Sequence, residues 1–392
     1  MTEVVIATAV RTPIGKYGRT LRDVSVAALG AHVIRYAVER AKLVPSEVEE
    51  VIMGNVVQAG VGQAPARQAA ISAGIPADVG AVTVNKVCAS GLKAVTIGFD
   101  SIRAGQESIV VAGGMESMSQ APYLVKGARW GIGYGNTELV DAVVHDGLMD
   151  AYRHYHMGIT GENIARRLSI TRQEQDAFAL ESHTRALKAT RGGKFREEIV
   201  PIEVERDREK VLFDADEGIR PDTSLEKLAR LNPAFREDGT VTAGNASQLS
   251  DGASAVVLMT REAAEERGIR ALARLVEYSV SGVAPENAME APIPAVEKLL
   301  RRTGLTVDDF DLVEHNEAYA SASLGVMRAL KVSHDKLNVH GGAVAMGHPL
   351  GCSGARILTT LVHAMRDRGA RRGLATLCLG GGNAMAALVE RL

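Results

Sequence analysis

Cys88, His348 and Cys378 stand in three settings of small residues: VNKVCASGLKAV, GGAVAMGHPLGCSGAR and ATLCLGGGNAM. Two thiols and one imidazole suffice for a covalent acyl carrier, a proton shuttle and a second base. That set suits carbon–carbon bond formation or cleavage beside a thioester. If the three groups converge, they predict an acyltransferase that works through an acyl-cysteine.

Each residue also has a plainer role. Cys88 immediately precedes the Ser-Gly that opens a helical pattern. The free N–H groups of a helix start lower a thiol's pKa and hold an oxyanion, yet a small thiol also fills a helix–sheet gap. His348 lies in GHPLG, where flanking glycines admit a substrate and the ring can take and return a proton; a histidine bonded within a Gly-rich loop fits the same residues. Cys378 ends an apolar strand pattern and runs into the glycines at 380–382. Such a run directs N–H groups at an anion but lacks the Lys and Ser/Thr of a phosphate loop. Asn316, in EHNEAYAS, follows the strand pattern FDLVEH. Its amide suits a catalytic water or an oxyanion, the cap of the next helix, or both.

These residues need a frame. A chain of 392 residues exceeds one ordinary core, so at least two packed units are expected. With 46% hydrophobic residues, only 4% aromatics and 40 glycines, the interior is built from Ala, Val, Leu and Ile, which favours α/β layers. The chain also repeats itself. SGLKAVTIGFDSIRAG sets Leu92, Val95, Phe99 and Ile102 on one helical face, and SGARILTTLVHAMRDRG sets Leu358, Val362 and Met365 likewise. Each pattern follows Ser-Gly, ends near Gly105 or Gly369, and leads to an apolar strand that meets glycines, SIVVAGGMES or LATLCLGGGNAM. Upstream, AKLVPSEVEEVIMGN matches TGLTVDDFDLVEHNE. The matches keep order and spacing, so the chain reads as a duplicated βαβ unit. Duplication predicts parallel sheets, with two central helices packed between them and Cys88 and Cys352–Ser353 at their starts. Residues 119–242 do not fit the repeat. They hold GARWGIGYGN, His145, His154 and His156, a charged helix around Thr171–Arg191 and the acidic DADEGIRPDTS. They read as a long insertion, which usually carries binding function.

A net charge of -2 gives no reason to expect a nucleic-acid partner. The three cysteines form neither a CxxC pair nor a zinc spacing, so no metal is expected. An odd cysteine count, no signal-like start in MTEVVIATAVRTPIG and no apolar run of bilayer length lead to the expectation of a cytoplasmic protein with no membrane contact.

The motifs VCASG, GGMESMSQAP, YHMGITGEN, VTAGNASQLSDGA, NEAYA, GGAVAMGHPLGCSGAR and CLGGG, taken in order, resemble those of the thiolases, in particular the acetyl-CoA acetyltransferase branch, over essentially the whole chain. The resemblance implies a five-layer αβαβα sandwich of two duplicated halves with an inserted loop domain. The corresponding divisions are residues 1–118 plus 243–269, 119–242 for coenzyme A binding and oligomer contact, and 270–392. It implies reversible condensation of two acetyl-CoA to acetoacetyl-CoA and CoA by a ping-pong route. Coenzyme A and acyl-CoA are then substrates, and no cofactor is held permanently. By the same resemblance Cys88 carries the acyl group and His348 takes its proton. Cys378 deprotonates the second acetyl-CoA, and Asn316 holds a water at the enolate oxygen. The N–H groups of Cys88 and Gly380 form a second oxyanion hole. His156, Met157, Arg220, Ala243, Ser247, Leu249, Ala318 and Tyr319 line the coenzyme A site, with Arg220 near the adenine and phosphates and Ser247 along the pantetheine arm. A homodimer or a homotetramer is expected. The alternatives are a 3-ketoacyl-CoA thiolase cleaving longer chains in fatty-acid degradation, and a non-catalytic acyl-CoA or lipid-binding protein of the same fold.

Several positions depart from the family pattern. Tyr319 replaces a common Phe, His315 precedes Asn316, His340 replaces a frequent Asn, and Cys352 replaces a small residue. Asn383-Ala384 stands where x-Gly is usual, which predicts a stiffer loop. Ala288-Met289-Glu290-Ala291-Pro292 stands for Met-Gly-x-Gly-Pro, whose Met lines the acyl pocket. Ala288 leaves room there unless Met289 swings in.

Overall fold

The computed structural model describes residues 2–206 and 208–392. In the first half, strand β1 (Val4–Arg11) leads to helix α1 (Val26–Arg40), β2 (Glu50–Gly54), α2 (Pro65–Ala73), β3 (Gly80–Val84), α3 (Ser90–Arg103) and β4 (Ile109–Ser117). An insertion carrying α4 (Gly158–Arg167) and α5 (Arg172–Arg191) follows, and β5 (Ser250–Thr260) returns to the sheet. The second half holds β6 (Ala273–Gly282), α6 (Pro292–Thr303), β7 (Leu312–His315), α7 (Ala320–Leu330), α8 (Leu350–Arg368), β8 (Arg372–Leu379) and β9 (Asn383–Arg391).

The strand order is β7-β8-β9-β6-β1-β5-β4-β2-β3, with a two-residue strand at Gly15–Lys16 on β5. From the centre outward, β6, β9, β8 and β7 mirror β1, β5, β4 and β2, so the order itself records the duplication. The expected parallel sheets are corrected. Only β2–β3, β2–β4 and β7–β8 are parallel, because β5 and β9 return beside their neighbours as antiparallel strands. The half-sheets are also joined, by the antiparallel pairing of Val4, Val5 and Ile6 with Leu275, Arg274 and Ala273.

Three apolar cores account for the five layers. The first packs α1 and α2 on the outer face of one half-sheet, through Leu29, Val33, Ile34, Ala69 and Val111 among others. The second holds α3 and α8 between the half-sheets, with Val95, Phe99, Leu358 and Val362 meeting Val110 and Val256 on one side and Ala375 and Leu377 on the other. The third packs α6 and α7 on the outer face of the second half-sheet, through Val296, Leu299, Leu324 and Leu388. Leu92, Val95, Phe99 and Ile102 are all buried, as their spacing predicts.

The central pair approaches backbone to backbone. A Cβ on Gly91 would lie 2.8 Å from Ala355 N, and one on Gly354 would lie 2.5 Å from Leu92 N. Glycine weakens a helix by about 1 kcal/mol, yet here only its missing side chain permits the crossing. Gly354→Ala is therefore expected to cost about 2 kcal/mol or more through overpacking. A fall in thermal midpoint, with a larger fall in activity as the helix starts shift, checks this.

The insertion is clamped to β1 by ionic and backbone bonds. The buried Arg11 guanidinium meets Glu198 at 2.7 Å and Asp216 at 2.7 Å, and Val200 N donates to Arg11 O at 2.8 Å. The charged helix expected around Thr171–Arg191 is α5, capped by Thr171, whose side chain accepts from Glu174 N. No helix among the described residues is long and apolar enough to cross a membrane.

Candidate active site

Cys88 sits on a strained turn between β3 and α3. Val87 has φ 47°, a left-handed conformation that a β-branched residue rarely adopts. Polar bonds hold the turn. Val87 N donates to Asn85 Oδ1 at 3.0 Å, Lys86 N donates to Ser90 Oγ at 2.8 Å, and Ser90 Oγ donates to Val87 O at 2.6 Å. Such backbone strain costs of order 1–3 kcal/mol and persists where surrounding bonds over-determine it. Here it aims a half-buried thiol off the helix start.

The expectation of a lowered thiol pKa is corrected. Burial pushes the Cys88 thiol up to about 12, and Glu116 adds to the rise. The N–H groups of Gly380 and of Cys88 itself point at the sulfur and oppose it. Desolvation outweighs the helix start here.

Cys378 is the penultimate residue of β8 and is buried, with its sulfur 3.5 Å from Met289 Sδ. Burial raises its pKa, and the neighbouring Cys88 raises it further, so the two thiols share one pocket. Beyond it, Gly381 and Gly382, both at φ 81°, turn the chain into β9 and leave Gly380 N facing Cys88. Asn383 and Ala384 pair with Leu379 and Cys378 in the β8–β9 ladder, so neither takes part in the turn.

His348 is fixed at both backbone and ring. Its N–H donates to Gln248 O at 3.0 Å, and its Nδ1 lies 2.5 Å from Ser353 Oγ. Ser353 Oγ in turn donates to Pro349 O at 2.8 Å. The hydroxyl has one proton, so it must accept from Nδ1–H, which puts the ring's lone pair on Nε2, the nitrogen that can act as a base. Burial and the Arg356 charge hold the ring near pKa 3, so it is neutral at physiological pH. Asn316 follows β7, with its amide nitrogen 3.4 Å from both ring nitrogens. It does not cap α7, whose N-cap is Tyr319. Arg356 Nη2 approaches Asn316 Oδ1 at 3.5 Å and so turns the amide NH₂ toward the imidazole.

Above these groups lies a cavity of about 470 Å³ whose wall includes His348, Tyr319, His156, Arg220, Ala243, Ser247 and Leu249. Met157 and Ala318 are outside that wall; they pack beneath it with Cys378, Ala288 and Met289. A larger cavity, about 640 Å³ between α5 and the final turn of α8, is lined by Arg185, Lys188, Lys194, Asp335 and Asp367 and contains none of the three cysteines.

Several residues of the site were not singled out from the sequence. Phe235 stacks on His156 with centroids 4.7 Å apart and lines the cavity. Lys16 and Tyr17 line it as well. Buried Glu116 accepts from Asn55 Nδ2, Val56 N, Val57 N and Gly351 N, which ties the loop after β2 to the start of α8. Its place after the Gly113-Gly114 pair is the one signal that marks it. Of the four histidines in the insertion, His145, His154, His156 and His183, His156 alone lines the cavity.

Comparison with known proteins places the chain in a well-populated group. The family model of the thiolase N-terminal domain matches residues 4–262, and that of the thiolase C-terminal domain matches 269–391. An acetyl-CoA acetyltransferase of Chromobacterium violaceum is 51% identical over 390 residues, covering 99% of this chain and 100% of that one. A probable acetyl-CoA acyltransferase of Staphylococcus aureus is 49% identical over 392 residues, covering 100% of both. The crystal structure of the Bacillus anthracis acetyl-CoA acetyltransferase superposes with a TM-score of 0.98 at 45% identity, over 100% of this chain and 99% of that one.

Proposed function

The chain belongs to the thiolase family of acyltransferases, and from that premise we propose that it condenses two acetyl-CoA to acetoacetyl-CoA and CoA, reversibly, through an acyl-Cys88. The observation that carries the proposal is the approach of the Gly380 loop to the turn that holds Cys88, where a Cβ on Gly380 would lie 3.5 Å from Val87 Cγ1, and the Gly380 amide counters the rise of the thiol's pKa. An acyl group on that sulfur has its oxygen met by two N–H donors.

The proposed cycle balances its protons within the pocket. Cys88 attacks the thioester carbon as its proton passes to His348 Nε2. The departing CoA thiolate takes the Cys378 proton and leaves as CoA. Cys378 thiolate then removes a methyl proton from the second acetyl-CoA, and its raised pKa makes it a strong base for that weak acid. Imidazolium and an Asn316-held water stabilise the enolate oxygen. The enolate carbon attacks the acyl carbon, the tetrahedral oxyanion rests on the Cys88 and Gly380 N–H groups, and Cys88 departs with the His348 proton. Coenzyme A lies in the cavity along Ser247, with Arg220 at its phosphates; Lys16 supports that polarity from the same wall.

Chain length is the open variable between this reading and a 3-ketoacyl-CoA thiolase. Met289, 3% exposed and touching Cys378, supports a short pocket. It takes up the room that Ala288 leaves. Steady-state thiolysis of 3-ketoacyl-CoA substrates from four to sixteen carbons is expected to fall steeply beyond four carbons. Met289→Ala is expected to raise kcat/KM for six- and eight-carbon substrates about tenfold relative to acetoacetyl-CoA. A flat or rising wild-type profile favours the long-chain thiolase. No turnover at any length favours the binding protein.

The division into 1–118 plus 243–269, 119–242 and 270–392 belongs to the same proposal, as does a cytoplasmic location, which the free cysteines support. So does assembly into a dimer or tetramer. The insertion exposes Trp130, Ile132, Tyr134 and Leu139 together, more apolar surface than a loop facing water normally carries.

A further inference from the structure

Arg356 and Glu314 form an ion pair in the middle layer of the molecule. On β7, alternation sends Leu312 and Glu314 between the half-sheets, and Val313 and His315 toward the outer layer. Glu314 there meets Arg356, from the second turn of α8. The two side chains are 2% and 1% exposed, with Arg356 Nη1 3.7 Å from Glu314 Oε2. Among the described residues neither of these two atoms has a hydrogen-bond partner. Stability does not account for such a pair, because desolvating both charges offsets their attraction and apolar side chains of similar volume serve as well. Burial pushes the Glu314 carboxyl up to about 8, with Arg356 opposing the rise. Glu314 therefore compensates the guanidinium only in part.

The guanidinium does hold Asn316. Arg356 Nη2 donates to Asn316 Oδ1 at 3.5 Å. An arginine can only donate, so the amide atom that faces it is the oxygen. The NH₂ must then face His348, where it lies 3.4 Å from both ring nitrogens. The same cation lowers the basicity of that ring. Neither Arg356 nor Glu314 lines the cavity. Their influence differs between the two half-reactions. In acylation the neutral ring takes the Cys88 proton, and a nearby cation hinders this. In condensation the imidazolium Nε2–H must reach the enolate oxygen. A flipped amide would accept from that N–H through Oδ1 and draw it away.

We infer that Arg356, seated against Glu314, is a positioning residue for the enolate step: it holds the Asn316 amide in the orientation that leaves the His348 Nε2–H to the enolate oxygen. This deepens the acyltransferase reading above and rests on it.

The test measures the two half-reactions separately on Arg356→Met, which keeps the length of the side chain and removes its donors. Without the cation Glu314 takes up a proton, so no lone charge is left in the core. Acetylation of Cys88 by acetyl-CoA is followed by intact mass in quenched samples. Condensation is followed by mixing the acetyl-enzyme with acetyl-CoA and measuring acetoacetyl-CoA. Acetylation is expected at the wild-type rate or faster. Condensation is expected to slow by about tenfold or more, with its dependence on acetyl-CoA concentration unchanged within about twofold. Arg356→Met/Glu314→Gln should show the same split, and it supplies the readout if the single variant does not fold. A merely structural role slows both half-reactions alike. Equal losses in the two steps, or condensation within about twofold of wild type, overturn the inference. Wild-type turnover is run alongside. Its presence without a split in the variants overturns this inference alone; its absence removes the acyltransferase reading as well.

Discussion

Replacing Cys88 with serine is expected to abolish the acetyl-enzyme and to lower turnover by on the order of 10³-fold or more. The thiol is already costly to ionise where it sits, at about 12, and a hydroxyl in the same desolvated turn is harder still to ionise. A serine hydroxyl is a far weaker acid than a thiol, so proton transfer to the neutral His348 ring lags further behind attack. The fold should survive, because Cys88 is half-buried and its turn is held by Asn85 and Ser90 rather than by the sulfur. Intact-protein mass spectrometry after mixing with acetyl-CoA reads the result directly. Wild-type protein should gain one acetyl group and Cys88→Ser none, with matching thermal midpoints. A variant that still gains the group, or turns over at the wild-type rate, removes Cys88 from the nucleophile role.

The elements of this site were legible in the sequence where local pattern decides structure. The buried face of α3, the Thr171 cap of α5 and the strand through Cys378, which runs one residue further to Leu379, follow from spacing and capping chemistry. The repeat was legible too, since AKLVPSEVEEVIMGN and TGLTVDDFDLVEHNE both fold as a helix end, a short 3₁₀ turn and a strand. What the sequence hid depends on long-range contact. Helix α8 begins at Leu350, before the Ser-Gly that opens the pattern, because Pro349 starts it and the glycines serve the crossing with α3. Strand direction was misjudged at β5 because it returns to the sheet only after the whole insertion, and at β9 because the glycines at 380–382, which suit an anion loop, form a hairpin turn. The Cys88 pKa was misjudged because a helix start is visible in sequence and desolvation is not. Ser353 shows the same limit. Its hydroxyl fixes the His348 tautomer only through the Pro349 carbonyl, a relay that exists once the first turn of α8 has formed.

Replacing Cys378 with alanine is expected to separate the two halves of the reaction. The acetyl-enzyme should still form, because Cys88, its N–H donors and His348 remain in place and water can protonate the departing CoA thiolate in place of Cys378. Condensation should fall by about 10³-fold, since no other base in the pocket reaches a thioester α-carbon. His348 cannot substitute: its Nε2 is committed to the Cys88 proton, and the Arg356 charge lowers its basicity. Tyr319 cannot either, because burial keeps it protonated. The loss should be larger in kcat than in KM, since the cavity wall that would hold coenzyme A does not include Cys378. Packing is a separate cost, because Met289 Sδ loses its contact at 3.5 Å and alanine leaves a small void. Cys378→Ser keeps the volume and separates that cost from the chemistry: it should restore the thermal midpoint without restoring condensation. The measurements are intact mass for acylation and acetoacetyl-CoA formation for condensation, on the same preparations. Loss of both steps in Cys378→Ser would place Cys378 in acylation as well, as expected if its proton is the one that leaves with CoA and no solvent proton replaces it. Normal condensation in either variant assigns the base to another group.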